Sequence, residues 1–362
     1  MTRSAIGIDS VTFYHDGKTA AFKAPLGVAI EVENYEAFDT RYLQVITGLK
    51  SKYSLNTERT CLKGHYILDK LKGKGCDFIN DFVDQILPSL KMIFVCHTVV
   101  SSEKVPEIFC CNGTKKITTS EFVDRLCSSY EHIIAWKLLQ DFADKHNSLI
   151  FSDYFTGVVT KAWIDLESNH NLSIVSAGEY CNSLISTADL ICKYINDSLR
   201  SKNEKLGFYG ISHAFQSKAV VEISDKMDGD QISEALKNNK PKLYQRFPYS
   251  LSQITPDSFR KIEVDAKMKH PVTYVLTSKK IPHEREAMEH TQLYDILANM
   301  SYQSKGCLRS INIDEINDEI RYMQKGDVLV TVGDLAEEKA SYIVNDLGVP
   351  LRIVSSRDLI KI

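Results

Sequence analysis

The chain of 362 residues is too long for one ordinary core and predicts two folded units. With 43% apolar and 25% charged residues it has the composition of a soluble globular protein, and its net charge of −3 excludes a global basic field, so any binding of nucleic acid must come from local patches. No apolar run approaches the roughly 20 residues that span a bilayer, and nine scattered cysteines without a CxxC pair read as reduced core thiols, so a cytoplasmic setting without a membrane is expected.

In chain order, Ser4 to Ile8 is a short apolar strand that ends at Asp9. Ala20 to Glu33 alternates and breaks at Pro25 and Gly27, which suits one or two further strands. Tyr35 to Lys52 and His65 to Leu90 carry helical periods, and Met92 to Val100 is β-branched and continuous, the mark of a buried strand. Glu107 to Cys111 suits a strand closed by the turn pair Asn112-Gly113. Ser120 to Lys145 reads as a long helix, Ser148 to Phe151 as a strand running into Ser152-Asp153, and Leu172 to Val175 as a strand before another helix. The composition then turns polar. The expected division is a first domain over 1–224, a connector over 225–256 and a smaller domain over 257–362.

In that last domain strand and helix alternate: Val272–Leu276, Arg285–Met300, Leu308–Ile313, Asp314–Met323, Asp327–Val332, Leu335–Leu347 and Leu351–Val354. Such alternation means a Rossmann-like parallel sheet with crossover helices, an α/β unit. Asp334 as N-cap, Glu337, Gly348 and Pro350 punctuate its last long helix.

The most informative stretch is Asn182 to Leu199. Leu184, Ile185, Ala188, Ile191, Cys192, Ile195 and Leu199 recur at spacings of three and four and form one apolar stripe. Asp189 falls on the border of that stripe, half buried. Asp9 and Asp153 sit at the ends of predicted strands. Two strand acids beside a helix acid can converge on divalent cations, and Mg²⁺ or Mn²⁺ favours oxygen ligands of this kind.

The order of a strand ending in Asp9, a mixed region, a helix, a second strand ending in Asp153 and a helical Asp189 resembles the RNase H-like superfamily. Within it, Leu184-Ile185-Ser186-Thr187-Ala188-Asp189-Leu190-Ile191 is similar to the LQ-x-ADLI pattern of the DUF3800 proteins, over roughly residues 4 to 215. The resemblance implies a mixed-sheet first domain, a nuclease activity on DNA or RNA, and Asp9, Asp153 and Asp189 as ligands of Mg²⁺ or Mn²⁺. The chain departs from the pattern where Ser10 follows Asp9 and where Ile185 replaces the glutamine. For a fourth acid, Glu131 lies in the right helix but well off its apolar stripe, and Glu31 and Glu179 are equally weak substitutes.

Lys63 and His65 are candidates to hold a phosphate, against a solvated surface role. His97 reads as a core residue. Pro256-Asp257 with Asp265-Ala266-Lys267 formally fits a PD-DxK nuclease pattern at a short gap, and Gly333-Asp334 follows a strand where an open parallel sheet binds ligands. No GxGxxG or P-loop supports a nucleotide site. The readings that follow are a metal-dependent nuclease, a non-catalytic RNase H-like protein that binds nucleic acid or a protein partner, and an actin-like ATPase suggested by IGIDS. Self-association stays open.

Overall fold

The computed structural model describes residues 3–14, 22–97, 100–101, 108–111, 115–118, 148–153, 172–175, 177–201, 220–223, 243–246, 271–278, 284–303, 307–314, 316–320 and 323–360. The chain begins with β1 (Ala5–Tyr14), β2 (Phe22–Val32), α1 (Tyr35–Tyr53), α2 (Gly64–Leu71) and α3 (Gly75–Ile86). It continues through β3 (Met92–His97), β4 (Val100–Ser101), β5 (Ile108–Cys111), β6 (Lys115–Thr118), β7 (Leu149–Asp153) and β8 (Leu172–Val175) to α4 (Ser183–Ser201). There follow β9 (Val220–Ile223), β10 (Leu243–Arg246), β11 (Val272–Thr277), α5 (Glu284–Gln303), β12 (Cys307–Asn312), α6 (Ile316–Glu319), β13 (Val328–Val332), α7 (Asp334–Asn345), β14 (Arg352–Ser355) and α8 (Ser356–Ile360). The helix expected over 120–145, with Glu131, and the PD-DxK residues lie outside the described residues.

One 12-stranded sheet has the order β14-β13-β11-β12-β8-β7-β1-β2-β3-β10-β9, with β4 beside β2. β5 and β6 form a separate hairpin. Along the main path every pairing is parallel except those of β2, which runs against β1 and β3. The fold is thus α/β, mixed around β2 and parallel beyond β1. The four C-terminal strands are parallel as their alternation with helices predicts, and β12 joins them to β8. β10, within the stretch expected to connect two domains, pairs with β3.

Two local expectations are corrected. The first strand does not stop at Asp9: it runs to Tyr14, so Asp9 lies mid-strand, with Val28 opposite. Pro25 and Gly27 do not break β2, because Pro25, which lacks an N–H, falls between the β3 pairing that starts at Leu26 and the β4 pairing at Lys23. In addition, α7 is capped by Gly333, at φ 87°, rather than by Asp334, which is the first helical residue.

Period-2 alternation sends successive side chains to opposite faces. Val275, Leu308 and Val330 join the core beneath Leu293, Tyr294 and Leu297 of α5, together with α1, α3 and α4. Tyr274, Leu276 and Leu329 pack with Ala336, Ala340 and Ile343 of α7 on the other face. The stripe of α4 is buried as its spacing predicts, with Leu184, Ile185, Ala188, Ile191, Cys192 and Ile195 inaccessible.

Two close contacts hold α4 in place. A Cβ on Gly7 of β1 would lie 2.5 Å from Leu184 Cβ and 2.6 Å from its carbonyl carbon, so only a glycine lets the helix sit there. Asn182 caps the helix, its Oδ1 accepting from the Leu184 and Ile185 amides at 3.0 Å each. The Asn182 amide also donates to Tyr35 Oη at 3.0 Å, and Tyr35 in turn donates to Asp295 Oδ1 on α5 at 2.9 Å.

Gly7→Ala should therefore destabilise the chain by about 3 kcal/mol, the upper part of the overpacking range, since the obstacle is partly backbone. Urea unfolding measures this, and an unchanged midpoint would mean that α4 has room to retreat. A second expectation concerns Asp295, which burial first, and the charge of Asp39 also, push up to about 7. An acid raised in the folded state binds its proton more tightly there than when unfolded. Its contribution to stability is therefore full below about pH 4 and is lost as pH climbs towards 7. Asp295→Asn keeps an acceptor for Tyr35 and removes that loss. Its melting temperature should match wild type near pH 4 and exceed it at pH 8, by a ceiling of about 4 kcal/mol in stability. A constant difference across that range would rule out the titration.

Candidate functional site

β1 and β7 are paired in register, Gly7 with Phe151 and Ile8 with Ser152, which brings Asp9 level with Asp153. Alternation puts both on the face that carries Gly7, the face that meets α4. Asp189 comes from α4 itself. The Cys192 thiol, one turn on, donates to the Asp9 carbonyl at 3.9 Å. The expectation that Asp189 would be half buried at the stripe's border is corrected: it is 4% exposed, because α2 and α3 pack on that side of α4.

Backbone donors hold two of the acids. The Gly64 amide at the start of α2 donates to Asp189 Oδ2. The Gly178 amide donates to Asp153 Oδ1 at 2.9 Å, in a 3-10 turn over Gly178–Tyr180 entered through Ala177 at φ 50°. Both glycines are close approaches. A Cβ at 64 would lie 2.5 Å from Lys193 Cγ and 3.1 Å from Asp189 Oδ2, and one at 178 would lie 2.4 Å from Ile185 Cδ1.

The same turn carries a fourth acid. Glu179 is 3% exposed and forms an ion pair with Lys63, which is 36% exposed. Its second oxygen, Oε2, is buried with no hydrogen-bond partner. Asp9 titrates well above the usual carboxylate range, through its burial first and then the charges of Asp189, Asp153 and Glu179, against which Lys63 acts. Burial and Glu179 raise Asp189 too, opposed by the Gly64 amide, Lys63 and Lys193. The four acids therefore share one electrostatic cluster, with Lys63 inside it. Among the described residues no group of three or more histidine, cysteine, aspartate or glutamate side chains is placed to hold a metal ion.

Lys63 is fixed by its neighbours. Leu62 donates through its amide to Tyr42 Oη and Ser186 Oγ at 3.3 Å each, and its carbonyl accepts from Ser186 Oγ at 2.7 Å. This buried node ties the segment before α2 to both α1 and α4. Arg59, in the same segment, stacks over Tyr180 at 4.5 Å and Tyr66 at 5.8 Å.

The other candidates stand apart. His65 is 68% exposed and lies 3.2 Å from Asp69 on its own helix. Glu31 pairs in register with Ile6, on the face opposite Asp9, and binds Lys91 at 2.8 Å. Gly333-Asp334 does follow the carboxyl end of β13, where exposed Asp334 binds Arg357 at 2.7 Å. Glu179 could not be singled out from its surroundings in the chain. It lies in an aperiodic turn, and its partner Lys63 is 116 residues away.

No solved structure matches the chain. An uncharacterized protein of Archaeoglobus fulgidus is 23% identical over 347 residues, which cover 92% of this chain and 94% of the relative. Residues 11–264, with Lys63, Asp153, Glu179 and Asp189 among them, match the model of a domain of unknown function, DUF8203. The chain belongs to the DUF8203 family.

Proposed function

We propose that the chain is a metal-dependent nuclease of RNase H-like build, with Asp9, Asp153 and Asp189 as ligands of Mg²⁺ or Mn²⁺. The observation that carries this reading is the convergence of acids from β1, β7 and α4 on one cluster, in which each neighbour raises Asp9. The sheet agrees with it. β1 has an antiparallel partner on one side and a parallel partner on the other, and the helix with the third aspartate crosses over it. The likeness of α4 to the DUF3800 helix belongs to the same proposal.

The donors fit such an ion in kind, being carboxylate oxygens, and in charge, since the cluster holds more acids than Lys63 offsets. Glu179 Oε2 is a buried lone pair with no hydrogen bond to satisfy it. The acids must draw together when an ion binds. Bound ions of this kind lower the pKa of an attacking water and stabilise the departing 3′ oxygen of a phosphodiester. Gly64 and Gly178 hold Asp189 and Asp153 in orientation beforehand, which reduces the reorganisation left to the ligand. Asp9 must ionise to take part, so binding goes with release of a proton. Lys193, beside Gly64, and His65, at the exposed start of α2, are the groups offered to phosphates. A second reading, a non-catalytic protein that binds nucleic acid or a partner, is favoured by the Lys63–Glu179 ion pair, which neutralises charge without a metal.

The test is Mn²⁺-dependent cleavage of labelled DNA and RNA panels. Asp→Asn at 9, 153 or 189 should abolish cleavage while substrate binding persists, because the ligands act mainly on the transition state. Wild-type rates in all three variants would leave only the non-catalytic reading. Without divalent cations, Asp9→Asn should raise the melting temperature, because it removes a buried carboxylate that faces three others. The sign follows from linkage. Asp9 and Asp189 are raised on folding, so ionising them costs stability above about pH 4, and the advantage of the asparagine grows with pH. A lower melting temperature at every pH would show that Asp9 makes a structural bond that asparagine cannot replace.

A further inference from the structure

We propose that Lys63 is an exchangeable counter-ion: its ammonium and a divalent cation compete for the same acids, so that Lys63 closes the cluster in the absence of the ion and is expelled by it. The inference rests on the metal reading above and adds to it the residue that controls occupancy.

Three observations carry it. Lys63 reaches Glu179, which is almost wholly buried, while its own side chain stays 36% exposed and so retains a path to solvent. Its charge acts on Asp9 and Asp189 as well as on Glu179, so it serves the whole cluster. Yet it satisfies only Oε1 of Glu179; Oε2 points to no donor in a region already rich in acids. A lysine that had evolved as a permanent partner would be expected to leave no such oxygen, since an unsatisfied buried acceptor destabilises the fold. An ammonium is a compact point charge on a flexible stem, suited to leaving one set of oxygens for another.

The backbone around Lys63 does not have to move with it. Leu62 is held by Tyr42 and Ser186, and the Gly64 amide is held by Asp189. Exchange is therefore a swing of one side chain about a fixed backbone. Once displaced, Lys63 stands at the start of α2 with His65, where an incoming phosphate would meet it. The acids are thus paired to an ammonium before the ion arrives, which accounts for the lack of a ready ligand set.

The experiment measures Mn²⁺ binding to the full chain by calorimetry and by electron paramagnetic resonance, in wild type, Lys63→Met and Lys63→Arg. If the closed state dominates by about tenfold, wild type binds Mn²⁺ about tenfold more weakly than its intrinsic affinity, and Lys63→Met should recover that factor. Lys63→Arg keeps the charge and should not. A second measurement needs no substitution: acetylation of Lys63, read by mass spectrometry, should rise when Mn²⁺ is added. Equal affinity in wild type and Lys63→Met, with Lys63 labelling unchanged by Mn²⁺ that Asp9→Asn fails to bind, overturns the exchange and leaves the metal reading standing. Absence of Mn²⁺ binding in all three proteins overturns both.

Discussion

Everything about the site depends on how closely α4 approaches β1. The approach is made at Gly7, where even a methyl group would overlap the backbone of Leu184. Helices usually ride on a sheet over intervening side chains, at a distance set by those side chains. Here one layer of side chain is missing, and the helix settles onto the strand itself. Asp9, two residues along on the same face, is drawn under the helix, and Asp189 is drawn down towards the sheet. The acidic cluster is a consequence of packing. It is therefore held by apolar burial elsewhere on α4, since the acids themselves repel one another.

The second layer of support is polar and buried. Tyr42, Ser186 and the backbone of Leu62 form one node, and Tyr35, Asn182 and Asp295 form another. Both nodes end on α4, one at its cap and one a turn further on. Each uses a tyrosine whose ring is packed and whose hydroxyl does the bonding. Such fully paired groups specify geometry more than they add stability. The first node sets where Lys63 begins, and the second ties the cap of the site helix to α5 in the C-terminal half.

Much of this was legible in the amino-acid order. The stripe of α4 announced a buried helix with Asp189 on it, and the runs ending in Asp9 and Asp153 announced strand acids beside it. The regular alternation after residue 271 announced a parallel sheet. These are local, periodic signals. What could not be read was non-local. Asp9 looked like a strand end because the polar Ser10 follows it, yet the ladder with β2 carries β1 on to Tyr14. Pro25 looked like a break because its harmlessness depends on a gap between two partner strands. Glu179 and Lys63 meet through the fold alone, and no pattern around either residue names the other. The full burial of Asp189 depends on α2 and α3, which pack over it from more than a hundred residues earlier.

The sheet order also has a consequence for how the molecule is made. β1 finds β2 at once, but its other neighbour is β7, and the Ser4 and Ser148 hydroxyls that meet at that seam are 144 residues apart. β8, beyond it, then waits for β12. Pairings of such long range close slowly, because the loop entropy must be overcome before any contact stabilises the pair. During synthesis the first three strands and helices α1 to α3 emerge long before α4. Through that interval β1 has one bare edge and Gly7 has no helix to cover it. The early chain is therefore an unfinished sheet with an open margin, and its safe passage depends on the arrival of residues 149–201.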